Sequence, residues 1–249
     1  MSTRAICQLA LLFLAIAMAP PAAAQPKDAA CVKCHEDIVK REVRHEALDF
    51  GCAKCHSTLD GSVTPHVNKG PVKLGLAAKG GELCFSCHKK EAFTKKVRHS
   101  AIRSGCSGCH DAHSSKHPKL LTEANNELCF GCHEKKDFEG KSVHAPVQEG
   151  TCTDCHGPHS TDEPNLLTEP QAELCLFCHS KVKKRPHAAA GFSREGHPIG
   201  GEKPGIKDPV RPEREFSCLS CHDPHRSKQV KLLSHEGEGM NFCQPCHKK

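Results

Sequence analysis

Apolar residues gather in one run near the start of the chain and are thinly scattered after it. Ala5 to Ala19 is apolar, follows the positive charge of Arg4 and precedes Ala22-Ala23-Ala24, a small-residue cleavage pattern ahead of Gln25. That order predicts a secretory signal peptide over residues 1–24. The run is too short and too poorly flanked for a stable transmembrane helix, so the mature chain is expected to have no membrane span of its own. Further on, Glu36 to Leu48 carries apolar residues at helical spacing and is the best helix candidate. Short helical turns are predicted to lead into Cys84, Cys129 and Cys175, the last capped by a Thr168-x-x-Gln171 box. Residues 57–83 and 180–217 are rich in Gly and Pro and read as loops. No run alternates as a strand, and no segment has the broad apolar face of a helical solenoid. The pattern predicts a mostly irregular chain with short α-helices and essentially no sheet.

Composition makes the absence of a core explicit. Trp and Tyr are missing, aromatics are 4%, and there are 19 Gly and 17 Pro. Such a chain cannot bury enough apolar area to offset its conformational entropy. Something other than side chains must fill its interior.

The cysteines say what does. Eighteen of 19 fall in nine copies of Cys-x-x-Cys-His; the other, Cys7, lies in the leader, ahead of the apolar core and badly placed for a lipid anchor. The copies join Cys31 and Cys34 to His35, Cys52 and Cys55 to His56, Cys84 and Cys87 to His88, Cys106 and Cys109 to His110, and Cys129 and Cys132 to His133. The remaining four join Cys152 and Cys155 to His156, Cys175 and Cys178 to His179, Cys218 and Cys221 to His222, and Cys243 and Cys246 to His247. This is the attachment pattern of c-type haem. Two thiols must reach two vinyl groups on one porphyrin edge while the next residue turns its imidazole to the iron, which fixes both spacings. Nine haems c are predicted, at roughly 25 residues each, and folding should depend on their attachment as it depends on metal in small metal-binding domains. The formal charge of +6 then has partners in the haem propionates. Lys89-Lys90 and Lys181 to Arg185 read as propionate-facing or solvated charge, not as a nucleic-acid patch. Zinc can be held by Cys-x-x-Cys pairs, and exported chains can form disulfides, but neither explains a His after every second Cys, and ferredoxin spacing is missing.

The motifs form a repeat. His99 to His133 and His144 to His179 are its clearest copies. Each runs from a leading His to a first motif, a His three residues later, a Leu-Leu-Thr-Glu segment and a second motif. A third copy holds Cys218 to His247 and a looser one holds His45 to His88. The predicted segments are therefore a single-haem segment at 25–44, haem pairs at 45–98, 99–143 and 144–186, and a long insertion with a haem pair at 187–249.

Each motif supplies one proximal iron ligand: His35, His56, His88, His110, His133, His156, His179, His222 and His247. Of the eleven other histidines, His117 and His235 do not recur in the repeat and read as surface residues. Nine distal candidates remain for nine irons: His45, His66, His99, His113, His144, His159, His187, His197 and His225. One of His187 and His197 fills the leading slot of the last pair, and the other is available to the unpaired first haem. Methionine is nearly excluded, since only Met240 lies beyond the leader. Two imidazoles favour a lower potential than a His/Met pair.

The run from Val143 to His179, with its two motifs, His159 and Leu166-Leu167, resembles the unit of the doubled-CxxCH multihaem cytochromes c. The resemblance covers nearly all of the mature chain. It implies covalent haem c, mostly bis-His, in a close-packed row within an extended, sparsely structured chain. It also implies an exported, periplasmic electron carrier of anaerobic or extracellular respiration. Its partners would be redox proteins: other cytochromes, a quinol-oxidising complex, or an outer-membrane porin, as for the decahaem members. The competing function is a multihaem oxyanion reductase, for example of nitrite. That chemistry needs an open iron, whereas every motif here ends in His and the ligand count leaves none open. No catalytic residue is assigned.

Overall fold

All nine Cys-x-x-Cys-His segments close the same turn. The backbone N–H of each motif His donates to the carbonyl of the first Cys, at 2.9–3.0 Å, from His35 to Cys31 through His247 to Cys243. This is one helical i, i+4 turn, and on such a turn residues i, i+3 and i+4 share a face. Both thiols and the imidazole therefore project together. The computed structural model describes residues 28–184, 187, 197, 199, 205–236 and 239–247; the predicted signal peptide lies outside them.

Five short helices occur among the described residues: α1 (Ala29–Val32), α2 (Gly81–Phe85), α3 (Asn125–Phe130), α4 (Ala145–Gln148) and α5 (Gln171–Cys178). The expected helical turns into Cys84, Cys129 and Cys175 are α2, α3 and α5. None has a side-chain cap, and the longest is eight residues, too short to persist alone in water. The expected Thr168–Gln171 capping box does not form. Pro170 is the N-cap of α5, and the Thr168 hydroxyl bonds to the Cys155 carbonyl at 3.4 Å instead.

Among the described residues eight two-residue strands pair antiparallel: β1 (Val43–Arg44) with β5 (Ser114–Ser115), β2 (Leu59–Asp60) with β3 (Val67–Asn68), β4 (Val97–Arg98) with β7 (Ser160–Thr161), and β6 (Ser142–Val143) with β8 (Arg226–Ser227). Three of these ladders stitch the strand leading into one repeat to the strand that follows the first motif of the next. Pairing of β1 with β5 also explains why Glu36 to Leu48 is not a helix. Its middle is taken by β1, between 3-10 turns at Glu36–Ile38 and Glu46–Phe50, so tertiary hydrogen bonding overrides the helical spacing.

Among the described residues no hydrophobic side chain is buried. The buried ones are polar: Ser114, Ser115, Ser160, Thr161, Ser220, Ser227 and Asp208. The Ser114 hydroxyl donates to the Ile38 carbonyl at 2.7 Å and that of Ser160 to Ala92 at 2.8 Å, which holds each ladder against the preceding segment. Asp208, with 1% of its surface exposed, accepts from the Val210 and Arg211 backbone N–H groups at 2.9 and 3.1 Å and from Arg211 Nε at 3.2 Å. Burial by itself would raise its pKa, but the Ser220 hydroxyl, these N–H donors and the guanidinium outweigh it and hold the carboxyl below its ordinary value. Two-residue ladders and single helical turns cannot offset the entropy of ordering this chain. The fold matches the expectation of a mostly irregular chain with short helices.

Candidate functional site

The histidine rings come in pairs. Each motif His faces one of the nine candidate histidines, with ring centroids 5.8–6.2 Å apart: His35 with His66, His56 with His113, His88 with His45, His110 with His159 and His133 with His99. His156 faces His225, His179 faces His144, His222 faces His187 and His247 faces His197. Direct stacking does not account for a constant gap this wide. Two imidazole–metal bonds of about 2 Å, plus half a ring on either side, span it. Together with two thiols on the same helical face as each motif His, the residues present fit haem c.

The pairing follows the repeat. Histidines in the leading slot (His45, His99, His144) face the second motif of their own unit. Those three residues after a first motif (His113, His159, His225) face the first motif of the preceding unit. His66 continues the second rule toward His35. The expectation that His187 or His197 turns to the first motif is therefore not met: His66 already stands there, and both insertion histidines face the last unit. His235, expected at the surface, is half-buried, with Nε2 3.1 Å from the Ser220 carbonyl.

Backbone carbonyls orient the rings. Nδ1 of His56, His110, His156 and His222 lies 2.7–3.0 Å from the carbonyls of Leu74, Lys119, Asn165 and Lys231. Nδ1 of His45, His99 and His144 lies 2.7–3.0 Å from those of Ala112, Pro158 and Pro224, and Nδ1 of His66 2.7 Å from that of Val63. A carbonyl only accepts, so Nδ1 carries the proton and donates, which leaves Nε2 with its lone pair for a metal. The four carbonyls behind first-motif histidines belong to residues at positive φ, 56° to 60°. Leu120, Leu166 and Leu232 follow in the same conformation and accept from the residue after each motif His at 2.7–2.8 Å. The turn that enters each recurring Leu-Leu segment is thus strained and aims a carbonyl at the motif imidazole. Its recurrence was visible in the sequence; its role was not.

Burial adds to this. It lowers the pKa of His113, His159, His187 and His225 below the ordinary 6.5, which favours the neutral, metal-binding imidazole. Phe93 packs on His159 at 4.5 Å and Phe138 on His225 at 5.4 Å, each backed by a second ring, Phe85 or Phe130. These aromatics were not among the residues singled out from the sequence.

The first thiols of neighbouring motifs lie against each other across the repeat boundary: Cys31 and Cys52, Cys84 and Cys106, Cys129 and Cys152, Cys175 and Cys218. Burial first, then the neighbouring thiol or the Asp28 carboxylate, pushes Cys52, Cys84 and Cys129 up to about 11. A hydrogen bond from Cys175 pulls Cys218 down to about 7 and raises Cys175 itself. Attachment points of motifs that meet across a repeat boundary are therefore adjacent. No helix among the described residues is long and apolar enough to cross a membrane.

No curated protein matches the chain. The model of the family described as the doubled CXXCH motif matches residues 45–93, 99–138, 144–184 and 209–249, more than half of the chain. With its paired motifs and the turns that present them, the chain belongs to this family and is a multihaem c-type cytochrome of electron transfer.

Proposed function

We propose that the chain is a nonahaem electron wire in which every iron has two histidine ligands. The observation that carries this reading is the pairing of all nine motif histidines with nine others at one common separation. The motif cysteines hold the porphyrins covalently. The motif histidines are the proximal ligands, and His45, His66, His99, His113, His144, His159, His187, His197 and His225 the distal ones. Haem c held by these residues would supply one-electron chemistry at iron. The protein's share is spacing, ligation and tuning of potential. Carbonyls on Nδ1 make the imidazoles more basic and, with two nitrogens per iron, favour low potential. The segments at 25–44, 45–98, 99–143, 144–186 and 187–249 then hold one, two, two, two and two haems.

Residues 1–24 direct export in this reading, and the mature protein works in the periplasm in anaerobic or extracellular respiration. It takes electrons from a redox partner, such as another cytochrome or a quinol-oxidising complex, and passes them on, an outer-membrane porin being one candidate setting. Docking to such a partner through exposed lysines would make its reduction rate fall with salt.

Low-temperature EPR of the oxidised, loaded protein, calibrated against total haem, tests the reading. Low-spin ferric signals accounting for nine haems are expected. A high-spin haem that shifts on adding nitrite or cyanide would mean an open iron, and the oxyanion reductase would take the place of the wire.

A further inference from the structure

The last unit breaks a rule that the others obey. In the first three units the leading histidine donates its backbone N–H to the carbonyl of the histidine after the next unit's first motif. His45 donates to His113 at 2.8 Å, His99 to His159 at 2.8 Å and His144 to His225 at 3.0 Å. Each bond joins the two residues whose rings face the two motif histidines of one unit: His88 and His56, His133 and His110, His179 and His156. One of the two always belongs to the following unit. A unit of this kind is incomplete by itself, because its first motif borrows a ligand.

In the fourth unit the same bond forms locally. His197 donates its backbone N–H to the His187 carbonyl at 3.2 Å. The rings again face the two motif histidines of one unit, His197 toward His247 and His187 toward His222. His197 keeps the role of His45, His99 and His144. His187 takes the role of His113, His159 and His225, yet it precedes its unit's first motif. We propose that His187 is an internal stand-in for the histidine that a following unit supplies elsewhere. The fourth unit thereby closes the array on itself, and its first iron has no vacancy for a histidine of another protein or for a small ligand. This rests on the paired-histidine reading above.

The test compares two variants of the full, loaded chain. His187→Ala should give high-spin ferric haem equal to one haem in nine, bind one cyanide per chain and return to low spin when imidazole is added. His113→Ala should open one iron as well, and the double variant should open two. If His187→Ala stays wholly low-spin while His113→Ala opens an iron, the closure is wrong, and the paired-histidine reading stands only for the pairs outside the fourth unit's first motif. If neither opens an iron, that reading falls and takes the closure with it. His187→Met serves where the alanine variant fails to load. It should keep all nine haems low-spin, raise the potential of one and add the sulfur-to-iron band of a His/Met pair; unchanged potentials without that band would overturn the proposal.

Discussion

A lysine at φ 59° is an odd choice for an exposed turn, yet Lys119 holds that angle with Leu120 at 58° beside it. Left-handed backbone costs a non-glycine residue about 1–2 kcal/mol. The return is a carbonyl placed 2.9 Å from His110 Nδ1. Lys119→Ile should therefore destabilise the turn by a further ~1 kcal/mol or more, since a β-branched residue tolerates positive φ least. It should also raise the potential of the haem at His110, whose imidazole loses its acceptor. Lys119→Gly should leave that potential unchanged. Spectroelectrochemical titration of both variants checks this. Ring orientation gives a second residue-scale expectation. His197 and His247 lie at 87°, whereas the other eight pairs lie between 7° and 48°. Perpendicular imidazoles leave two iron d orbitals nearly degenerate. One haem in nine should therefore show a low-spin EPR signal with a very large principal g value, and a spectrum without it would contradict the perpendicular geometry.

At the scale of elements, the ladders matter more than the helices. Each of the three ladders between units is only two residues long, and its buried Ser carries bonds to a third segment. Ser160 donates to the Ala92 carbonyl and accepts from the Lys95 N–H at 3.2 Å. Ser160→Ala leaves both groups without that partner in a half-dry site, at a cost of about 1–3 kcal/mol. Faster hydrogen exchange at the His99 amide, which bonds to the His159 carbonyl, is the expected readout. Asp208 offers a pH-dependent counterpart in the last unit. Its carboxyl is held below the ordinary 3.8 in the folded chain, so its contribution is complete above that value and is lost as pH falls through the folded pKa. Asp208→Ala, which leaves the Arg211 guanidinium without its carboxylate partner, should cost about 3 kcal/mol near neutrality. The difference from wild type should vanish in strong acid, as urea midpoints across the pH range would show.

For the whole molecule, a described interior with no buried apolar side chain predicts that attachment and folding are one event. Chain produced without haem attachment should lack hydrogen-exchange protection at the ladder amides of His45, His99 and His144. Chain carrying its haems should protect all three. A cooperative unfolding transition in the haem-free chain would refute this. On the paired-histidine reading the repeat would also make folding processive, because the ring that faces the first motif of each of the first three units comes from the next unit.

The sequence by itself determined the chemistry of this protein and its local geometry. Nine Cys-x-x-Cys-His segments dictate nine helical turns, because only i, i+3 and i+4 put two thiols and an imidazole on one face. Their regular spacing revealed the repeat, and counting histidines nominated the same nine that face the motif histidines. What the tertiary structure decided is which histidine faces which. A ring 57 residues away, as His113 is from His56, is reached through a two-residue ladder, and two residues leave no periodicity to read. The same holds for the strand inside Glu36 to Leu48, for the phenylalanines behind His159 and His225, and for the carbonyls that fix each Nδ1. These depend on backbone groups, which every residue carries, and on pairings that span separate units, which no local pattern encodes.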